Sequence, residues 1–215
     1  MTPHATAFLS TQTQTQEKIM KKIVLWTLML CVAAMLSGCG VANQLKSAYN
    51  MTQCEYEYDS VSDISLGGVN LSGALSAIQI AQLGRLLVSN SASIPMSFDV
   101  NLNVKNPNAT AASLAGMDYI LSIDDVQFTS GTLRQGIDIS AGGSSILPVT
   151  MAFDLAELFS GSSADVAVNA VKNFIGIGNQ PSNVTLRVRP SVSIAGRKIQ
   201  IPTYIPVNFS FGGKK

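Results

Sequence analysis

The sequence predicts a mainly β protein, an antiparallel two-sheet β-sandwich with one or two accessory helices. Three observations carry this prediction. The segment Ile94 to Asn108 places Phe98, Val100, Leu102 and Val104 on one face and Ser97, Asp99, Asn101, Asn103 and Lys105 on the other, the period of two that gives a strand one buried and one wet side. Further strand-like runs follow at intervals punctuated by glycine and small polar residues, which suits locally connected antiparallel strands better than a parallel sheet. Helical length and composition are confined to two stretches, Ser72 to Asn90 and Ser162 to Ile175.

The chain opens on a polar stretch, residues 1–19, rich in threonine and glutamine and without periodicity. Met20 then directly precedes Lys21-Lys22, so translation is expected to begin there. The basic pair, the apolar run Ile23 to Leu36 and the small residues Ser37 and Gly38 follow the layout of a secretory signal, assigned to residues 1–38. The apolar run falls short of the roughly 20 residues a span needs and has no basic stop-transfer patch behind it. Leu36-Ser37-Gly38-Cys39 resembles the lipobox of bacterial lipoproteins. That resemblance implies acylation of the Cys39 sulfur, cleavage before it, and a membrane partner held through the lipid. With Gly40 next and no acidic residue before Glu55, the pattern resembles that of lipoproteins kept on the outer membrane facing the periplasm.

Residues 39–53 are polar and small with no strong period, and read as a lipidated tether. Residues 54–93 hold an accessory strand and helix. Tyr56 and Tyr58 alternate with Glu55, Glu57 and Asp59, a strand signature that Gly67-Gly68 interrupts. In the helical stretch Ser72 to Asn90, Leu71, Leu75, Ile78 and Leu86 fall on one side and Ile80, Leu83 and Leu87 on another. A helix with two apolar faces is buried on both or covers something, which makes Ile80, Leu83 and Leu87 the candidates to roof an apolar groove. Beyond Ile94, strands are expected at residues 117–126, 127–139, 145–153, 183–194 and 198–211, separated by "SGT", "SAGGSS" and "IAGRK". Ser162 with Asp165 reads as a capping box for the second helix, with Val168, Val171, Phe174 and Ile175 as its apolar face.

The run Asp99 to Leu133, with a strand leading into Asn106-Pro107-Asn108, an aromatic at Tyr119 and then "IDDVQFTSGTL", resembles the type 2 late embryogenesis abundant (LEA) domain, also called the water stress and hypersensitive response domain. The strand "SILPVTMAF" fits it too, and the resemblance extends over about residues 94–212. It implies a small sandwich of fibronectin-like shape over residues 94–215 and supplies no catalytic residues. The strand and helix before Ile94 and the helical insert after Phe153 depart from it. The Asn-Pro-Asn triplet also has a direct physical reading: Pro107 removes a ladder donor, holds Asn106 extended, and leaves asparagine side chains to bond nearby backbone at a corner.

The residues exclude much chemistry. His4 is the only histidine and precedes Cys39, so the mature chain has no imidazole base or ligand. Cys31 leaves with the signal and Cys39 takes lipid, which leaves Cys54 without a partner, a packed or idle thiol. Asp124-Asp125 are expected on opposite faces of a strand end, poor geometry for paired acid–base work or a calcium site. Asp59-Ser60-Val61 resembles a bacterial O-glycosylation tripeptide, or is an ordinary loop. No glycine-rich loop has phosphate-binding spacing, and no metal or cofactor is expected. Lys18, Lys21, Lys22 and Glu17 all precede Cys39, so the mature chain is close to neutral. Its one basic group, Arg187, Arg189, Arg197 and Lys198, is too short for a nucleic-acid footprint. The expectation is a non-enzymatic, lipid-anchored envelope protein that binds or protects an apolar ligand, lipid or partner protein. The alternative is a structural subunit of an envelope assembly that docks through its strand edges.

Overall fold

A computed structural model describes residues 20, 22, 24, 26, 27, 40–71, 73, 76–88, 93–159 and 163–213. The chain divides into two compact units, Met1–Leu45 and Lys46–Lys215. In the first, the described residues are helical, with Met20, Val24 and Trp26 exposed and the Thr27 hydroxyl donating to the Val24 carbonyl at 2.9 Å. Among the described residues no helix is long and apolar enough to cross a membrane.

The second unit begins with helical residues 46–52 (α1) and a 12-residue strand, Glu55–Leu66 (β1). The short β2 (Val69–Asn70), helix α2 (Ala77–Val88) and the long β3 (Pro95–Lys105) come next. Then follow β4 (Ala112–Leu114), β5 (Gly116–Ile123), β6 (Val126–Leu133), β7 (Ile137–Ile139) and β8 (Ser144–Asp154). Helices α3 (Leu155–Leu158) and α4 (Ala164–Phe174) separate these from β9 (Ser182–Ile194), β10 (Arg197–Gln200) and β11 (Ile205–Phe211). One sheet runs β2-β1-β3-β8 and the other β10-β9-β5-β6 with β11 also on β9, every pairing antiparallel; β4 and β7 form a separate ribbon. This is the predicted sandwich.

β3 shows why the sequence folds this way. Met96, Phe98, Val100, Leu102 and Val104 are buried in strict alternation, and the strand pairs along its whole length with both β1 and β8. Opposite it, Leu121, Ile123, Val184, Leu186 and Val188 fill the inner face of the second sheet. The two sheets meet at both edges. Tyr58 of β1 stacks on Phe209 of β11 with ring centroids 3.9 Å apart, while the Tyr119 hydroxyl of β5 donates to the Thr150 carbonyl of β8 at 3.1 Å.

Several expectations are corrected. The stretch read as a tether is helical, because Ala48 and Met51 are apolar enough to join the core; Met51 is 0% exposed, and the Tyr56 hydroxyl lies 3.0 Å from its sulfur. The turn after β5 sits at Asp124-Asp125, both with positive φ (46° and 66°), the geometry of a two-residue hairpin turn. They are therefore not alternating strand residues, and "SGT" lies inside β6. Gly131 is needed there for room: a Cβ would stand 2.6 Å from the Tyr119 hydroxyl. The "IAGRK" turn is where it was expected, with Ala195 and Gly196 at φ 51° and 74°. The N-cap of α4 is Ser163 without a side-chain capping bond, and Ser162 lies outside the described residues. Helix α4 buries Ala167, Ala170, Val171 and Asn173 while Val168 is exposed. The single turn α3, which had no sequence signal of its own, starts because the Asp154 carboxylate accepts from the Ala156 N–H.

Candidate functional site

Two regions gather the residues singled out above. The first is the corner after β3. Asn106 is 0% exposed. Its Nδ2 donates toward the carbonyls of Thr110 (2.9 Å), Ile139 (3.1 Å) and Ser140 (3.0 Å), and its Oδ1 accepts from the Asn108 N–H at 3.1 Å and the Asn108 Nδ2 at 2.8 Å. The Asn108 Nδ2 also reaches the Asn50 carbonyl at 3.2 Å. Asn50, on α1, donates to the Thr110 carbonyl and hydroxyl at 3.0 and 2.7 Å and to the Ala111 carbonyl at 2.9 Å. The corner is thus a closed amide network that satisfies the backbone of two loops and ties α1 to the sandwich, with Pro107 exposed at its apex. All the capacity of Asn106 is used inside the fold, and no group of that side chain is left for a ligand. Cys54 sits beside it, its thiol 3.4 Å from the Asn50 carbonyl. Burial, and then the neighbouring Glu55, push the thiol pKa up, the setting of a packed cysteine rather than an activated one. Asn50 went unread in the sequence because a polar residue in a short polar stretch gives no burial signal.

The second region is α2. Ser76 and Gln79 cap its N-terminus reciprocally: the Ser76 N–H donates to the Gln79 Oε1 at 2.9 Å and the Gln79 N–H to the Ser76 hydroxyl at 3.3 Å. The helix holds to the domain through Leu83, 4% exposed, and partly through Gln79 and Leu86. Ile78 is 72% exposed and Ile80 58%. Of the three groove candidates, Leu83 therefore packs inward, Ile80 faces outward, and the side chain of Leu87 lies outside the described residues, as does Cys39. The reason is angular: positions 80 and 83 are three residues apart, about 60° short of a full turn, so one can anchor while the other clears the surface. A cavity does lie between the sheets, lined by residues including Phe98, Leu121, Phe174 and Phe209, but it measures about 10 Å³, room for about one water, and no described side chain of α2 lines it. An open cleft of about 390 Å³ lies instead between the Gly67-Gly68 turn and α2, bordered by Val69, Gln82, Arg85 and Leu86.

A third polar group, on the outer face of the second sheet, pairs within itself at Asp118 and leaves the buried Arg189 Nε without an acceptor. Arg189 donates to the Asp118 Oδ2 at 2.9 Å and lies over the Tyr204 ring at 4.8 Å, and Thr132 and Gln200 also donate to Asp118. The Arg189 hydrogen bond, helped by Thr132 and Gln200, holds the Asp118 carboxyl below the usual carboxylate range. Among the described residues no three histidine, cysteine or acidic side chains are grouped to hold a metal ion.

The elements define a small antiparallel sandwich that carries an additional N-terminal strand and two helices. Residues 101–203, from the middle of β3 to just beyond β10, match the family model described as Late embryogenesis abundant protein; α1, β1 and α2 lie outside the match. No curated protein matches the chain. Solved structures similar to it include the crystal structure of a protein from Archaeoglobus fulgidus, at 12% identity over 74% of this chain and 98% of that one, with a TM-score of 0.38. Another is the solution structure of a protein from Arabidopsis thaliana, at 11% identity over 72% and 80%, with a TM-score of 0.41. A third is the solution structure of a late embryogenesis abundant protein, at 13% identity over 83% and 84%, with a TM-score of 0.36. These likenesses are distant, and the fold assignment rests on the strand pairing itself.

Proposed function

We propose that the chain is a lipid-anchored, non-enzymatic protein of the bacterial cell envelope, built on a fold like that of type 2 late embryogenesis abundant domains, with a binding or protective role toward lipid. The observation that carries the anchor is the order Lys21-Lys22, Ile23 to Leu36, Ser37-Gly38-Cys39. Support for a binding rather than catalytic role comes from the histidine-free sequence after Cys39 and from polar groups committed to the fold at Asn106, Asn50 and Asp118. Support for an anchor on the outer membrane, facing the periplasm, comes from Gly40 and the lack of an acidic residue before Glu55. Palmitate labelling tests this: the parent chain takes label, and Cys39→Ser accumulates as an unlabelled, uncleaved precursor. Normal labelling of that variant refutes the anchor, and digestion by protease added to intact cells refutes the periplasmic placement.

A second reading, a subunit of an envelope assembly, draws on β10. This strand closes one end of the second sheet and is exposed along all four residues, Ile199 included. Copurification separates the two: bound lipid by mass spectrometry favours the first, a protein in fixed stoichiometry the second.

A further inference from the structure

Helix α2 presents to solvent the side a helix normally hides. Its outward positions are Ala77, Ile78, Ile80, Ala81, Gln82, Gly84 and Arg85, and among its described side chains only Leu83 is fully buried. Between Asp63 and Asp99 the sequence has a single charge, Arg85, which makes no ion pair among the described residues and stands beside the open cleft at Gly67-Gly68. Exposed apolar surface of this kind marks a contact with a protein or a membrane. Two features select the membrane. A surface whose one charge is cationic, with no acid near it in sequence, matches an anionic headgroup layer. The lipid site then fixes which surface it meets: if Cys39 carries lipid, the seven residues from there to Lys46 span at most about 25 Å even if fully extended, so the domain cannot leave the bilayer surface.

We propose that α2 lies on the lipid surface with Ile78 and Ile80 among the headgroups and upper acyl chains and Arg85 against a lipid phosphate. This rests on the lipid anchor proposed above. It assigns a role to the helix outside the family match, and it replaces an internal acyl groove with an external lipid contact. Leu83 stays in the core as the pin that orients the helix.

The mature chain has no tryptophan, since Trp26 precedes Cys39, so one introduced indole reports alone. The lipidated protein is purified from membranes and placed in vesicles of phosphatidylcholine and phosphatidylglycerol with brominated acyl chains. In Ile80→Trp the indole emission shifts to the blue and is quenched by bromine, whereas in Ile199→Trp, on exposed β10, it is not. Adding Arg85→Glu to Ile80→Trp lowers the quenching several-fold in mixed vesicles at low salt and leaves it nearly unchanged in pure phosphatidylcholine. A protein that floats with the vesicles while its Ile80→Trp indole is quenched no more than that of Ile199→Trp overturns the α2 contact and leaves the anchor standing. A protein that fails to float overturns both. An indole shielded in native membranes but unquenched in protein-free vesicles also overturns the lipid contact, in favour of a protein partner.

Discussion

Asn106→Ala removes the node of the corner network. The Asn106 Nδ2 has two hydrogens shared among three carbonyls, and its Oδ1 holds both the N–H and the side-chain amide of Asn108. With the site 0% exposed, water cannot replace these bonds without opening the corner. A buried group left without its partner costs about 1–3 kcal/mol, so two donors and one acceptor lost together come to about 4 kcal/mol after partial relaxation. That is a large share of the 5–15 kcal/mol of a typical domain. At about 2–4 °C per kcal/mol for a domain of this size, the melting temperature falls by about 8–16 °C. Thermal unfolding followed by circular dichroism measures it, with Asn108→Ala, half-buried at the rim, as the milder comparison. Asn106→Asp adds a signed test. A buried carboxyl facing carbonyl oxygens has its folded-state pKa raised above the unfolded value, so the variant's deficit is largest at neutral pH and shrinks as pH falls through that raised value. A loss below about 3 °C for Asn106→Ala, or an Asn106→Asp deficit that grows in acid, would refute the assignment of Asn106 as a buried structural node.

Asp118 has a lowered folded-state pKa, set first by the Arg189 hydrogen bond. Its contribution, that of a solvent-screened surface pair, is present above the ordinary carboxyl range and is lost as pH falls through the lowered value. Asp118→Asn should therefore lower neutral stability and flatten the acid limb, read from urea midpoints between pH 2 and 7. Cys54→Ser should cost only about 1 kcal/mol, because a hydroxyl can still reach the Asn50 carbonyl; the native thiol, buried and with its pKa raised, should react with a thiol reagent only at the rate of unfolding. In Gly131→Ala the new methyl meets the Tyr119 ring end and breaks the hydroxyl's bond to Thr150. The expected destabilisation is about 1–3 kcal/mol; an unchanged melting temperature would show that the β6–β8 edge is looser than described.

The legible parts of this fold are those where one signal dominates. β3 could be read residue by residue because its buried face is all apolar and its wet face all polar. The Ala195-Gly196 turn announced itself through its glycine. Asp124-Asp125 did not, since neither aspartate is a strong left-handed residue and the flanking apolar residues blur the hairpin. Residues 46–52 looked like linker because only two of the residues α1 buries, Ala48 and Met51, are apolar, too few for a moment to stand out. The position of the Asn-Pro-Asn corner was visible, and its structural role followed from proline and asparagine chemistry. Its partners were not, because Ser140 reaches Asn106, and Asn50 reaches Asn108, only through the tertiary fold. For α2 the composition was legible, but which apolar residues face out is decided by where Leu83 finds a pocket.

The order of strands in the second sheet bears on how such a chain could be exported. β5 is an inner strand of that sheet and pairs with β9, Gly116 with Ser191 through Ile123 with Val184, so half of its partners lie some sixty or more residues further along. Closing loops of that length must precede the contacts that reward them, which makes such topologies slow to fold. While the C-terminal third is still being synthesised, β5 has only β6 beside it, and a two-stranded hairpin is barely stable in water. If the chain is exported as proposed, it gains time from this arrangement, because until β9 arrives the second sheet cannot close.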